Sequence, residues 1–182
     1  MKMGNVMEMG ATARHGRLLG LLENSILKLF FEKKIEHFSE STSLLYWGKK
    51  QNPHSCNLVD IKKISDIDDF IKETINILAL TTPDYMHFST NKFIMNDNET
   101  RIAGFPNLIV EVWSKSNSDE DKEFLKYLYS TSNETEHWYI EQDSNIVECW
   151  YGDKRIEDKN LNDILKTKDG IEFDLRYLAI EK

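Results

Sequence analysis

Two carboxylates stand out by where the sequence puts them. Asp84 follows Pro83 and opens the stretch Tyr85 to Ser89, while Glu111 lies inside the apolar run Leu108-Ile109-Val110-Glu111-Val112-Trp113. A carboxylate in the middle of such a strand must be paired, hydrogen-bonded or bound to a metal, because an unpaired buried charge costs roughly several kcal/mol even after relaxation. Brought side by side on neighbouring strands, two carboxylates make an oxygen site suited to Mg²⁺, which keeps several waters and can also hold a phosphate. Such a metal stabilises charge on a phosphoryl oxygen and lowers the pKa of an attacking water. The residues alone leave an alternative open: Glu111 as the structural partner of Arg101 or a nearby lysine, and Asp84 as a turn device after proline.

Other reactive groups are less well arranged. His54 and Cys56 have an i, i+2 spacing with no second pair to complete a zinc site. Ser114 and Ser116 have no His or Lys placed as a base in any motif, so nucleophilic hydrolase chemistry has no support. Trp113, Trp138, Trp150 and Tyr151 fall in strands, where aromatic residues usually fill core. Cys56 and Cys149 make no disulfide framework and point to a reduced, cytoplasmic setting.

The elements that must position the two acids can be read from spacing. From Ala11 to about Lys34, Leu18, Leu19, Leu22, Ile26, Leu29 and Phe30 follow the three-and-four rhythm of an amphipathic helix. Leu44 to Trp47 reads as a short strand, and Ser65 or Asp66 could cap a helix reaching Leu78. Tyr85 to Ser89, Lys92 to Met95 and Asn107 to Trp113 read as strands, the last apolar enough to be buried on both faces. Ser118, followed by Asp119, Glu120 and Asp121, caps a helix from about 119 to 130 whose core stripe would run through Phe124 and Leu128. His137 to Glu141 and Ile146 to Tyr151 form a hairpin about Asp143-Ser144-Asn145, and Ile171 to Leu178 supplies a last strand or turn. This order predicts an α/β domain with one mixed sheet and a helix on each face.

Length and charge bound the reading. At 182 residues, one domain over 1–182 is expected, with residues 1–10 outside its ordered part. Lys and Arg number 23 against 31 Asp and Glu, for a net charge of −8 and no basic block. That balance lends no support to tight binding of a nucleic-acid backbone, although an acidic total can hide a local basic groove. No apolar run is long enough to span a bilayer.

Asp84, the stretch Gly104-Phe105-Pro106-Asn107-Leu108-Ile109-Val110-Glu111-Val112-Trp113-Ser114, the Asp121 to Tyr129 helix and Glu136-His137-Trp138-Tyr139-Ile140-Glu141 together resemble successive motifs of the Uma-type restriction endonucleases. These belong to the PD-(D/E)XK nuclease superfamily. The resemblance covers roughly residues 11 to 178, and the nine-residue step from Tyr129 to Trp138 is its most specific detail. It implies a restriction-endonuclease-like mixed β-sheet flanked by helices. It further implies DNA phosphodiester hydrolysis with Mg²⁺ or Mn²⁺ held by Asp84 and Glu111, and relatives that pair as homodimers to cut two strands.

The superfamily places a lysine two residues after the Glu, where Trp113 stands here. Uma-type relatives recruit one from the following helix at the position of Leu125. Lys122 lies about 60° around the helix from Leu125 and Lys126 about 100°, which favours Lys122 as the substitute. Otherwise both lysines are solvated positions opposite the Phe124 and Leu128 stripe. His15 matches a position where relatives often carry His, but a lone His near a helix end is more often a surface or capping residue. Two rivals to the nuclease reading are a non-catalytic member of the same fold serving as a binding or dimerisation module, and an unrelated interaction protein in which a buried cation neutralises Glu111.

Overall fold

The computed structural model describes residues 13–32, 34–39, 43–46, 79–89, 93–95, 101–114, 116–130, 132 and 134–179. The predicted helix ending at Leu78, the His54 and Cys56 pair and the turn at 96–99 lie outside them.

Helix α1 (Ala13–Phe31) forms where the sequence rhythm places it, and Leu18, Leu19, Leu22 and Ile26 make its buried stripe. Strands β1 (Ile35–Ser39), β2 (Ser43–Tyr46), β3 (Ala79–Thr81), β4 (Tyr85–Ser89), β5 (Phe93–Met95), β6 (Arg101–Gly104) and β7 (Leu108–Trp113) precede helix α2 (Asp119–Ser130). After it come β8 (Glu136–Glu141), β9 (Ile146–Tyr151), β10 (Lys154–Arg155), β11 (Lys159–Asn160), β12 (Ile164–Lys166), β13 (Glu172–Asp174) and a 3₁₀ turn at Arg176–Leu178.

The central sheet has seven strands in the order β1-β4-β7-β8-β9-β10, with β11 also on β9. It is mixed: β7 and β8 are parallel and its other pairs antiparallel. Parallel neighbours need a crossover of a dozen or more residues, and α2 is that crossover. The sequence reading expected one sheet; β3-β2-β6-β5 forms a second and β12-β13 a third.

Alternation along β7 divides the core. Leu108, Val110 and Val112 pack with the α1 stripe, whereas Ile109 and Trp113 pack with Leu128 and Tyr129 of α2. Each face of the central sheet therefore carries a helix, as the element order predicts. Glu111 shares the α2 face with Ile109 and Trp113.

Helix α2 is capped as the sequence suggests. The Ser118 hydroxyl accepts the Asp121 backbone N–H at 3.1 Å and donates to the Asp121 carboxylate at 2.6 Å. Its buried stripe departs from expectation: Leu128 and Tyr129 are buried, with Leu125 packed against their cluster, while Phe124 is 57% exposed. A stripe through Leu125, Leu128 and Tyr129 turns Phe124 outward.

Candidate active site

Strands β4 and β7 pair with Tyr85 opposite Val110 and Met86 opposite Ile109. One step further on the same register, Asp84 stands opposite Glu111 at the end of the ladder. There the Asp84 side chain takes the place of a strand partner: its Oδ2 accepts the Val112 backbone N–H at 2.6 Å. Its Oδ1 lies 3.4 Å from His15 Nε2, which the first turn of α1 brings to the same sheet end.

Glu111 is almost fully buried, and its Oε1 accepts the Tyr129 hydroxyl at 2.5 Å. The Tyr129 oxygen in turn lies 3.1 Å from the Thr81 hydroxyl. Since the single Tyr129 proton is given to Glu111, Thr81 is the donor in that second contact. Burial, and then the negative charge of Asp84, push the Glu111 carboxyl well above the ordinary range, with Tyr129 and the Asp84 backbone partly offsetting them. Burial and the charge on Glu111 likewise push the Tyr129 hydroxyl up.

Two carboxylates facing each other at a sheet end repel unless a proton or cation lies between them. Among the described residues, no group of three or more His, Cys, Asp or Glu could hold a metal ion. The residues that could hold an ion are this pair; Mg²⁺ takes one or two carboxylates and completes its shell with waters and substrate phosphates.

The two lysines share the α2 face with Glu111, and both ammoniums lie 5.3 Å from the Trp113 ring centroid. Each is held by another carboxylate. Lys122 pairs with Glu141 at 2.8 Å and Lys126 with Glu148 at 3.0 Å. Neither is a solvated position: the two side chains are 15% and 22% exposed, with their ammoniums over Trp113, which is stacked on Tyr139 at 4.5 Å. Register separates them: Glu111 lies opposite Tyr139 and Tyr139 opposite Glu148, so Lys126 is bound on the row of Glu111. Lys122 is bound two residues further along, at Glu141 opposite Trp113. Beyond these strand ends is a cleft of about 320 Å³ lined by Trp113, Ser114, Ser116, Glu141, Gln142 and Asp143.

Of the sequence-predicted residues, Asp84 and Glu111 meet in register, whereas Lys122 and Lys126 are engaged by other acids. Arg101, the suggested structural partner of Glu111, lies in β6, in a different sheet from Glu111. The sequence reading missed the hydrogen-bonding role of Tyr129 and undervalued His15. Its only signal for Tyr129 was the motif spacing to Trp138.

No family model matches the chain. Rat (Rattus norvegicus) RNA ligase 1 is 41% identical over 63 residues, so that this chain is matched over 34% of its own length and spans 19% of the ligase. A crystal structure described as that of a candidate nuclease belonging to DUF820, from Anabaena variabilis ATCC 29413, aligns with a TM-score of 0.58 at 11% identity, covering 92% of this chain and 79% of that one. At that identity the likeness is one of fold: the chain has a mixed α/β architecture, sheet and flanking helices together, similar to that of the DUF820 structure.

Proposed function

We propose that the chain is a metal-dependent endonuclease of the Uma type that hydrolyses DNA phosphodiester bonds. The observation that carries this reading is the opposition of Asp84 and Glu111 at the end of the β4–β7 ladder, with Asp84 fixed by the Val112 amide and Glu111 by Tyr129. The two carboxylates would hold Mg²⁺ or Mn²⁺, which when bound lowers the pKa of a water and stabilises phosphoryl charge. The protein's own part is geometric and electrostatic. Val112 and His15 orient Asp84, Tyr129 orients Glu111, and burial of Glu111 strengthens the demand of that carboxylate for a neutralising partner. The DUF820 likeness supports the fold this chemistry needs.

Divalent-metal titration with DNA cleavage as the readout tests the proposal, with an RNA strand as a parallel substrate because the partial match is to a protein named RNA ligase 1. Glu111→Gln should abolish metal-dependent cleavage. It should leave the metal-free fold equally stable or slightly more so, because it removes one of two repelling acids. Mg²⁺ should raise the melting temperature of the unmutated protein alone, by mass action on the folded state. A Glu111→Gln protein that melts clearly lower without metal, with neither form responding to Mg²⁺, would make Glu111 a structural group and end the nuclease assignment.

One observation favours a second reading. With Trp113 and Leu125 at the lysine positions, and Lys122 and Lys126 held by Glu141 and Glu148, the site offers no uncommitted ammonium on α2. A non-catalytic binding or dimerisation module of this fold would look the same. Absence of cleavage at every metal concentration, with Mg²⁺ still raising the melting temperature, is the outcome that selects it.

A further inference from the structure

At the opposite end of the central sheet, β8, β9, β10, β11 and the β12–β13 hairpin enclose a cleft of about 560 Å³ whose lining includes Lys154, Lys159, Lys166, Lys168, Tyr151 and Glu136. Four lysines, from β10, β11 and the β12–β13 hairpin, line this one cleft in a chain of net charge −8. The one carboxylate in the lining is already neutralised. Glu136 is 2% exposed and accepts the Trp138 indole N–H at 2.7 Å and the Lys168 backbone N–H at 2.6 Å, with the Lys159 ammonium 3.4 Å away.

The other three lysines of the lining are exposed. Lys154 and Lys168 are exposed, and the Lys168 ammonium rests 3.2 Å from the Tyr151 ring centroid. Lys166 pairs with Glu172 at 3.5 Å, both well exposed, so solvent and salt screen that pair. The cleft adjoins a second one of about 360 Å³ that shares Glu136, Tyr151 and Lys168 and also carries Glu134 and Asp169. These acids set a boundary on the basic region.

We propose that this lysine-lined cleft is a second binding site, separate from the Asp84–Glu111 pair, that takes successive phosphate groups of a nucleic-acid strand. The site is separate because Glu136 lies opposite Leu108, three residues before the row of Glu111, which is about 10 Å along the strands. Its side chain also packs on the Trp138 side of the sheet, while Glu111 faces α2. One phosphate cannot touch both. Several ammoniums spread over a cleft larger than a single phosphate suit a repeating polyanion. The choice of a strand, rather than a free phosphate compound, rests on the nuclease reading; the recognition of phosphate does not.

The test is binding of a fluorescein-labelled twelve-nucleotide single strand of DNA in EDTA, followed by anisotropy over a range of NaCl, so that neither metal nor cleavage enters. Inorganic pyrophosphate, measured by calorimetry, forms a second arm. Lys154→Gln with Lys168→Gln should weaken strand binding about tenfold or more at low salt. It should also flatten the slope of log affinity against log salt by about 1.4, the expectation for two lost contacts to a single strand. The control pair Lys28→Gln with Lys34→Gln removes the same charge from the α1 region and should change little. Equal losses in both pairs, or none, overturn the site, and lysine-dependent binding of pyrophosphate without strand binding overturns the strand. Cleavage with lysine-independent binding sinks this inference alone, whereas lysine-dependent binding without cleavage sinks the nuclease reading alone.

Discussion

Tyr129 and Glu111 form the hydrogen bond on which the acidic pair depends, and both are buried. Tyr129→Phe keeps the ring and removes the donor, leaving a buried carboxyl short of one partner. It should cost about 1–3 kcal/mol in urea unfolding, the typical penalty for a buried polar group left unsatisfied. If the metal site is as proposed, it should also raise the Mg²⁺ concentration needed for half-maximal cleavage. Unchanged values for both would show that Tyr129 does not hold Glu111. Glu111 was legible in the sequence because a carboxylate in an apolar run is an anomaly that demands a partner. The partner was not, since a tyrosine on the apolar stripe of a helix reads as core, and only the docking of α2 on the sheet brings its hydroxyl to β7. His15 was obscured in the same way: its contact with Asp84 exists only once α1 lies against the sheet.

Helix α2 decides which lysine could serve the acids. Rotation about the helix axis favours Lys122, but the sheet beneath places Lys126 on the row of Glu111, through Tyr139 and Glu148. Lys126→Ala should therefore reduce metal-dependent cleavage by about a hundredfold, the lower end of what a positioned proton-transfer or charge-stabilising group contributes, and Lys122→Ala by much less. Equal, small effects measured side by side would favour the non-catalytic reading. The start of α2 was legible because Ser118 and Asp121 at the capping spacing carry a local signal. Its face was not, because Phe124 and Leu125 are adjacent apolar residues and only tertiary packing selects Leu125. Strands β1 and β6 were missed for a related reason. They are five and four residues long, and β1 mixes Glu36 and His37 with Ile35 and Phe38, so pairing with β4 rather than pattern makes it a strand.

The stability of the whole molecule should carry the mark of His137, which lies fully buried in β8. Its ring nitrogens meet the Tyr139 hydroxyl at 2.9 Å and the Gly152 carbonyl at 3.0 Å, and burial pushes its pKa down to about 4. The unfolded chain protonates this imidazole below about 6.5 while the folded chain does not until about 4. The unfolded state then binds more protons, so its stabilising contribution is complete above 6.5 and is lost as pH falls toward 4, on the order of 3 kcal/mol. Chemical denaturation from pH 7 to 4 should show that slope, and His137→Gln should flatten it whatever its effect at pH 7. The raised Glu111 carboxyl acts in the opposite sense, favouring the fold more as pH falls, so it cannot imitate the effect. The α/β class and the plan of a mixed sheet with a helix on each face were legible at this scale. The division into three sheets was not, because the parallel alignment of β2 with β6 joins residues far apart in the chain. The bonds around the acidic pair have the same long reach: Asp84 to Val112 spans 28 residues, Glu111 to Tyr129 spans 18, and Thr81 to Tyr129 spans 48. Each closes a loop whose entropy must be lost before the contact repays it, which places this region among the slow-forming parts of the topology. On a chain still emerging from the ribosome, the Asp84–Glu111 arrangement can have no stable form until α2 has followed β7 out of the tunnel, since Glu111 takes its hydrogen bond from Tyr129.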